Sequence, residues 1–116
     1  MLTDTAFITA ADAALAAIGE AIDRALETSD ADVDWTLNDG ILEIECDDGT
    51  KLIVNRHVPN REIWVAAKRG GFHFRAEAGR WQDTRSGAEL GAALAQLLHA
   101  QAGVSLGPLA LRAPER

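Results

Sequence analysis

The hydrophobic pattern changes period twice along these 116 residues, and that change limits the fold more than any other feature. From about residue 4 to 27, apolar side chains recur at helical spacing, with Phe7, Ala11, Ala14, Leu15, Ile18, Ile22, Ala25 and Leu26 on one side. Asp12, Glu20, Asp23 and Glu27 fall within about a quarter-turn on the opposite side. Abundant alanine favours the helix, Thr3 or Asp4 is placed to cap it, and Ser29-Asp30 breaks the pattern.

From Val33 the period is two. Val33, Trp35 and Leu37 alternate with polar residues, as do Leu42, Ile44 and Cys46, then Leu52 and Val54. Asn38-Asp39-Gly40 and Asp47-Asp48-Gly49 read as hairpin turns. Pro59 cannot donate to a ladder, so the segment around it, including His57, reads as a loop. Ile63 to Ala66 resumes a strand, Gly70-Gly71 marks a bend before Phe72 to Arg75, and Trp81 to Thr84 is a short sixth strand.

Helical spacing then returns with Leu90, Leu94, Leu97 and Leu98, ending near Gly103. Ser86-Gly87-Ala88-Glu89 has the form of a capping box, with Ser86 at the N-cap. The order helix, five or six antiparallel strands, helix predicts an α+β fold. It is a two-layer α/β sandwich in which both terminal helices cover one face of the sheet and the other face meets solvent. One domain is expected over residues 1–103, followed by an irregular tail, 104–116, whose Leu106, Leu109 and Leu111 either tuck against the helices or stay free.

Charge placement narrows the function. The net charge is −7, yet the segment from Glu20 to Asp48 holds 11 acids against the single base Arg24, a net of −10, leaving +3 elsewhere. Nucleic acid requires a basic footprint, so this distribution excludes it and suits a cation or a basic protein surface. No apolar run reads as a membrane span. The start, Met1-Leu2-Thr3-Asp4, lacks a basic segment followed by a hydrophobic one, which points to the cytoplasm. Cys46, the one cysteine, falls on the inner face and reads as core packing.

Two constellations stand out. The first is the acidic stripe of Glu20, Asp23 and Glu27 on the helix, continued by Asp30, Asp32 and Asp34. Carboxylate oxygens suit hard cations, and no His or Cys lies nearby for softer metals. The spacing matches no EF-hand cage, so such a site is shallow and releases its metal; a merely solvated acidic helix face is the bland alternative. The second is the uncovered sheet face. If Leu52, Val54, Ile63, Val65, Phe72 and Phe74 point inward, alternation turns Lys51, Ile53, Asn55, Glu62, Trp64, His73 and Arg75 outward, beside Glu43 and Glu45. An outward tryptophan near Asn and Arg has the makeup of a binding hot spot, whereas a one-residue slip would bury it. His57, His73 and His99 match no zinc spacing, and no phosphate loop, nucleophile elbow or serine triad is present.

The run from Asn55 to Ala66, Asn-Arg-His-Val-Pro-Asn-Arg-Glu-Ile-Trp-Val-Ala, followed by Gly70-Gly71-Phe72-His73-Phe74, resembles the signature of the frataxin family in its bacterial CyaY type. The acidic first helix, the Asn-Asp-Gly turn, Trp81 and Arg85-Ser86-Gly87 fit as well, so the resemblance spans about residues 4 to 102. It implies weak binding of Fe(II) or Fe(III) on the ridge of Glu20, Asp23, Glu27, Asp30, Asp32 and Asp34. It also implies docking onto a cysteine desulfurase and an iron–sulfur scaffold protein, through the ridge and through Asn55 and Trp64, with Glu43, Glu45 and His73 beside them. The expected role is iron donor or iron-dependent regulator of cluster assembly, as a monomer with iron-dependent oligomers, and not as a conventional enzyme. Family members often carry Gln where this chain has His57 and Glu62, and Arg24, Ala25 and Thr28 thin the ridge. Two rivals come from other classes: an acidic, metal-independent protein-binding chaperone, and a weak ferroxidase.

Overall fold

The computed structural model describes residues 2–115. Helix α1 (Asp4–Leu26) is followed by six strands, β1 (Asp34–Asn38), β2 (Ile41–Glu45), β3 (Lys51–His57), β4 (Glu62–Ala67), β5 (Gly70–Glu77) and β6 (Arg80–Asp83), and then by helix α2 (Leu90–Ala102). The strands form one antiparallel meander in sequence order. The inward residues of β2 to β6 and the apolar stripes of both helices meet in one core. Phe7 and Trp81 are fully buried in it, ring centroids 5.9 Å apart and edge to face. Both helices therefore lie on one face, and the opposite face is open.

Helix α1 passes the length and composition test for a membrane span, contrary to the reading that no such run exists. Its burial identifies it as a core helix, with Phe7, Leu15, Ile18 and Ile22 packed on the sheet. Thr3 caps it, accepting from the Ala6 N–H. The Asn38-Asp39-Gly40 turn has positive φ at both central residues, the geometry that matches strand twist.

Two local readings need correction. His57 is the last residue of β3, not part of a loop, because pairing with Glu62 carries the ladder up to the turn that contains Pro59. Ser86 does not cap α2; the N-cap is Glu89, whose carboxylate accepts from the Gly91 and Ala92 N–H groups. The preceding residues are held in a turn instead, with Asp83 Oδ1 accepting from the Arg85 and Ser86 N–H groups and Gly87 at φ 77°. The alternation read over Val33, Trp35 and Leu37 fades at its end: Leu37 pairs with buried Leu42 and shares its face, yet is 38 % exposed beside the hairpin turn on the edge strand.

The tail after Gly103 is irregular yet tied down. Val104 and Leu111 are buried, Arg112 bridges to Arg80, and the Trp81 Nε1–H donates to the Arg112 carbonyl at 3.2 Å. The tail crosses α2 at Gly91, where any Cβ would come within 2.6 Å of the Leu109 carbonyl oxygen.

Candidate functional site

The acidic edge is built by α1, the connection after it and β1. Glu20, Asp23, Glu27, Asp30, Asp32 and Asp34 are all exposed, and none forms an ion pair among the described residues. Arg24, the lone base of this segment, pairs with none of them. Asp34 lies directly across from Glu45 on β2, two like charges in register. Among the described residues, no three His, Cys, Asp or Glu side chains converge as a ready metal cage. The charge is thus concentrated without a fixed coordination geometry.

One ridge member is held. Asp23 Oδ1 accepts from the Trp35 Nε1–H at 2.8 Å. The indole reaches it by lying flat against Gly19 of α1, where an added Cβ would sit 2.7 Å from the ring. Alternation marks Trp35 as part of a half-buried strand but does not reveal this bond; a glycine in mid-helix one turn before an aspartate is the available signal.

The open sheet face is ordered by register. Ile41, Asn55, Trp64 and His73 sit side by side across four strands. Trp64 does point outward, half-buried, with Ile63 and Val65 in the core. Its ring is sandwiched between two imidazoles: His57 stacks at 3.6 Å and 10°, His73 at 4.3 Å and 9°. Its Nε1–H donates to Glu62 Oε1 at 2.9 Å, and that oxygen lies 3.8 Å from His73 Nδ1. Glu62 is only 8 % exposed although it belongs to the solvent face, because the stack covers it. His57 Nδ1 is the one buried side-chain polar atom without a hydrogen-bond partner among the described residues. Ile41, 46 % exposed at the end of this row, went unnoticed in the sequence because only register places it beside Asn55.

Around these features, Glu43 is paired with Lys51 at 2.9 Å, and that bond raises the lysine's pKa. Glu45 is exposed and in no ion pair among the described residues. Arg56 is clamped between Asp12 of α1 and Asp39 of the hairpin turn, tying the helix to the sheet. Cys46 is buried, and desolvation pushes its thiol pKa up, which suits packing and not nucleophilic chemistry.

A six-stranded meander backed by two helices, with an acidic edge and an aromatic row on its open face, defines a specific class of two-layer α/β sandwich. The Frataxin-like domain model matches residues 1–104, and the chain belongs to the frataxin family. It is 46 % identical over 105 residues to the iron-sulfur cluster assembly protein CyaY of Cupriavidus metallidurans, covering 90 % of this chain and 95 % of that protein. It is 48 % identical over 102 residues to the CyaY of Paraburkholderia phytofirmans, covering 88 % and 93 %. Among solved structures, the frataxin of Psychromonas ingrahamii superimposes with a TM-score of 0.75 at 33 % identity, covering 90 % of this chain and 96 % of that one. A ferrous complex of trimeric frataxin from Saccharomyces cerevisiae shares the fold, with a TM-score of 0.70 at 24 % identity over 78 % of this chain and 83 % of that one.

Proposed function

We infer that this chain works in iron–sulfur cluster assembly, as an iron donor or an iron-dependent regulator, and not as a catalyst. The observation that carries this reading is the edge of six exposed carboxylates, none of them ion-paired among the described residues, on a chain of the frataxin family. Iron is cargo here, held as Fe(II) or Fe(III) by Glu20, Asp23, Glu27, Asp30, Asp32 and Asp34. Mutual repulsion among carboxylates favours any cation that approaches them, while the lack of a converged cage keeps binding weak and release easy.

The same charges draw a basic partner surface, and the Trp64 row supplies the second contact. The partners are a cysteine desulfurase and its scaffold protein, with Asn55, Trp64 and His73 at the contact and Glu43 and Glu45 at its acidic margin. The relatives named for cluster assembly support the pathway. The stacked, hydrogen-bonded indole supports a preorganised anchor.

Anaerobic titration of ferrous iron into isotope-labelled protein tests the metal half. Amides from Glu20 to Asp34 are expected to broaden first; broadening centred on His57 and His73 would overturn the ridge assignment. Pull-down by purified cysteine desulfurase, with and without Fe(II), tests the docking half.

A further inference from the structure

A cavity of about 400 Å³ opens where the start of β5, the β6–α2 loop and the outer side of α2 come together. It exists because α2 presents Ala92 and Ala93 there, too small to fill the space above Phe72 and Leu97. The volume lies within the range of small-molecule pockets. Loose packing of an alanine-rich helix would produce such a space as well, but would not account for the rest of the lining.

Arg69 and Arg85 both line the cavity, and neither forms an ion pair among the described residues. The hydroxyls of Thr84 and Ser86 and the Gln96 amide stand with them. Asp83 is the sole acid in the lining, and its Oδ1 is already engaged by the Arg85 and Ser86 N–H groups at 2.8 and 3.4 Å. The balance is one net positive charge over an apolar floor, on a protein whose total is −7. A small anion is drawn to that place and repelled from the acidic edge.

The wall is also fixed in advance. The Thr84 N–H donates to the His73 carbonyl, Asp83 N–H to Ala88, and Gly87 N–H to Asp83, at 2.8 to 2.9 Å. Ser86 Oγ accepts from the Ala88 N–H at 3.1 Å. A loop held this way needs little ordering when a ligand arrives.

We propose that this cavity binds a small organic anion, a single carboxylate or phosphate group attached to an apolar body, with Arg69 and Arg85 taking the charge and Phe72, Ala92, Ala93 and Leu97 the body. His73 lines the cavity and also stacks on Trp64, so an occupant lies one side chain away from the aromatic row.

The test is an NMR titration of metal-free protein, with no partner present, so its result is independent of the role in cluster assembly. Phenyl phosphate is the probe; inorganic phosphate and phenol are the comparison arms. Saturable amide shifts are expected at residues 69–73 and 84–93 with phenyl phosphate, at an affinity at least about tenfold above either comparison compound. The double variant Arg69→Gln/Arg85→Gln is expected to weaken phenyl phosphate by about tenfold or more, and Ala93→Leu to block it by filling the floor. Both arginines are exposed, so the double variant keeps its fold if Ala93→Leu does not. Shifts that fail to saturate by about 10 mM, equal binding of inorganic phosphate, or unchanged affinity in the arginine variant would each overturn the proposal.

Discussion

The acidic edge and the open sheet face are built in opposite ways. At the edge, exposed carboxylates stand on a helix, a connection and the start of β1, and among the described residues five of the six have no side-chain hydrogen-bond or ion-pair partner. On the sheet face, Trp64 is locked by two stacked rings and a hydrogen bond to a buried carboxylate. Charge acts at a distance and tolerates loose geometry, whereas an aromatic anchor acts only on contact and needs its shape set beforehand. The edge is suited to attraction and the face to specificity, and mutations in the two should fail differently.

The largest expected effect is at the face. Trp64→Ala should weaken binding to the desulfurase–scaffold complex by about 2 kcal/mol or more, read by calorimetry, with salt dependence unchanged. A loss of salt dependence instead would collapse the distinction between the regions. Next is Gly19→Ala. Alanine normally favours a helix by about 1 kcal/mol over glycine. Here the methyl group meets the Trp35 ring, so a net loss of about 1–2 kcal/mol is expected in urea unfolding. Third, Asp23→Ala should cost about 1 kcal/mol by removing the acceptor of Trp35, while Glu27→Gln should stay within about 0.5 kcal/mol of the parent. Equal effects would mean the edge is uniformly loose.

The smallest effect concerns pH. Bonds from the Thr50 hydroxyl and N–H hold the Asp48 carboxyl below its usual value. A depressed folded pKa contributes stability above the unfolded value of about 3.9, and that contribution is lost as pH falls through the folded value. Thr50→Ala should move the Asp48 titration upward toward the ordinary range, followed by carboxyl carbon shifts.

Much of this architecture was legible because periodicity is a local property. The switch from helical spacing to alternation located α1 and the strands, whereas alternation left Trp64 either outward or, by a one-residue slip, inward, and the burial of Ile63 and Val65 decides for outward. What escaped depends on contacts between distant segments. The sandwich of His57, Trp64 and His73 needs the register of three strands, and the Pro59 signal pulled His57 into the loop. The Trp35–Asp23 bond spans helix and sheet. Glu89 displaced Ser86 as the cap because Asp83 had already claimed the preceding turn, a competition that a four-residue motif cannot express. The tail's path follows from a gap at Gly91 that has meaning only when Leu109 passes through it.

The three tryptophans are each bonded through the ring nitrogen to a different part of the molecule: Trp35 to Asp23, Trp64 to Glu62, and Trp81 to the Arg112 carbonyl. Nature has in effect placed three unlabelled reporters. The exchange rates of these indole protons report separately on the acidic edge, the open sheet face and the attachment of the C-terminal segment, each on its own channel of the same spectrum.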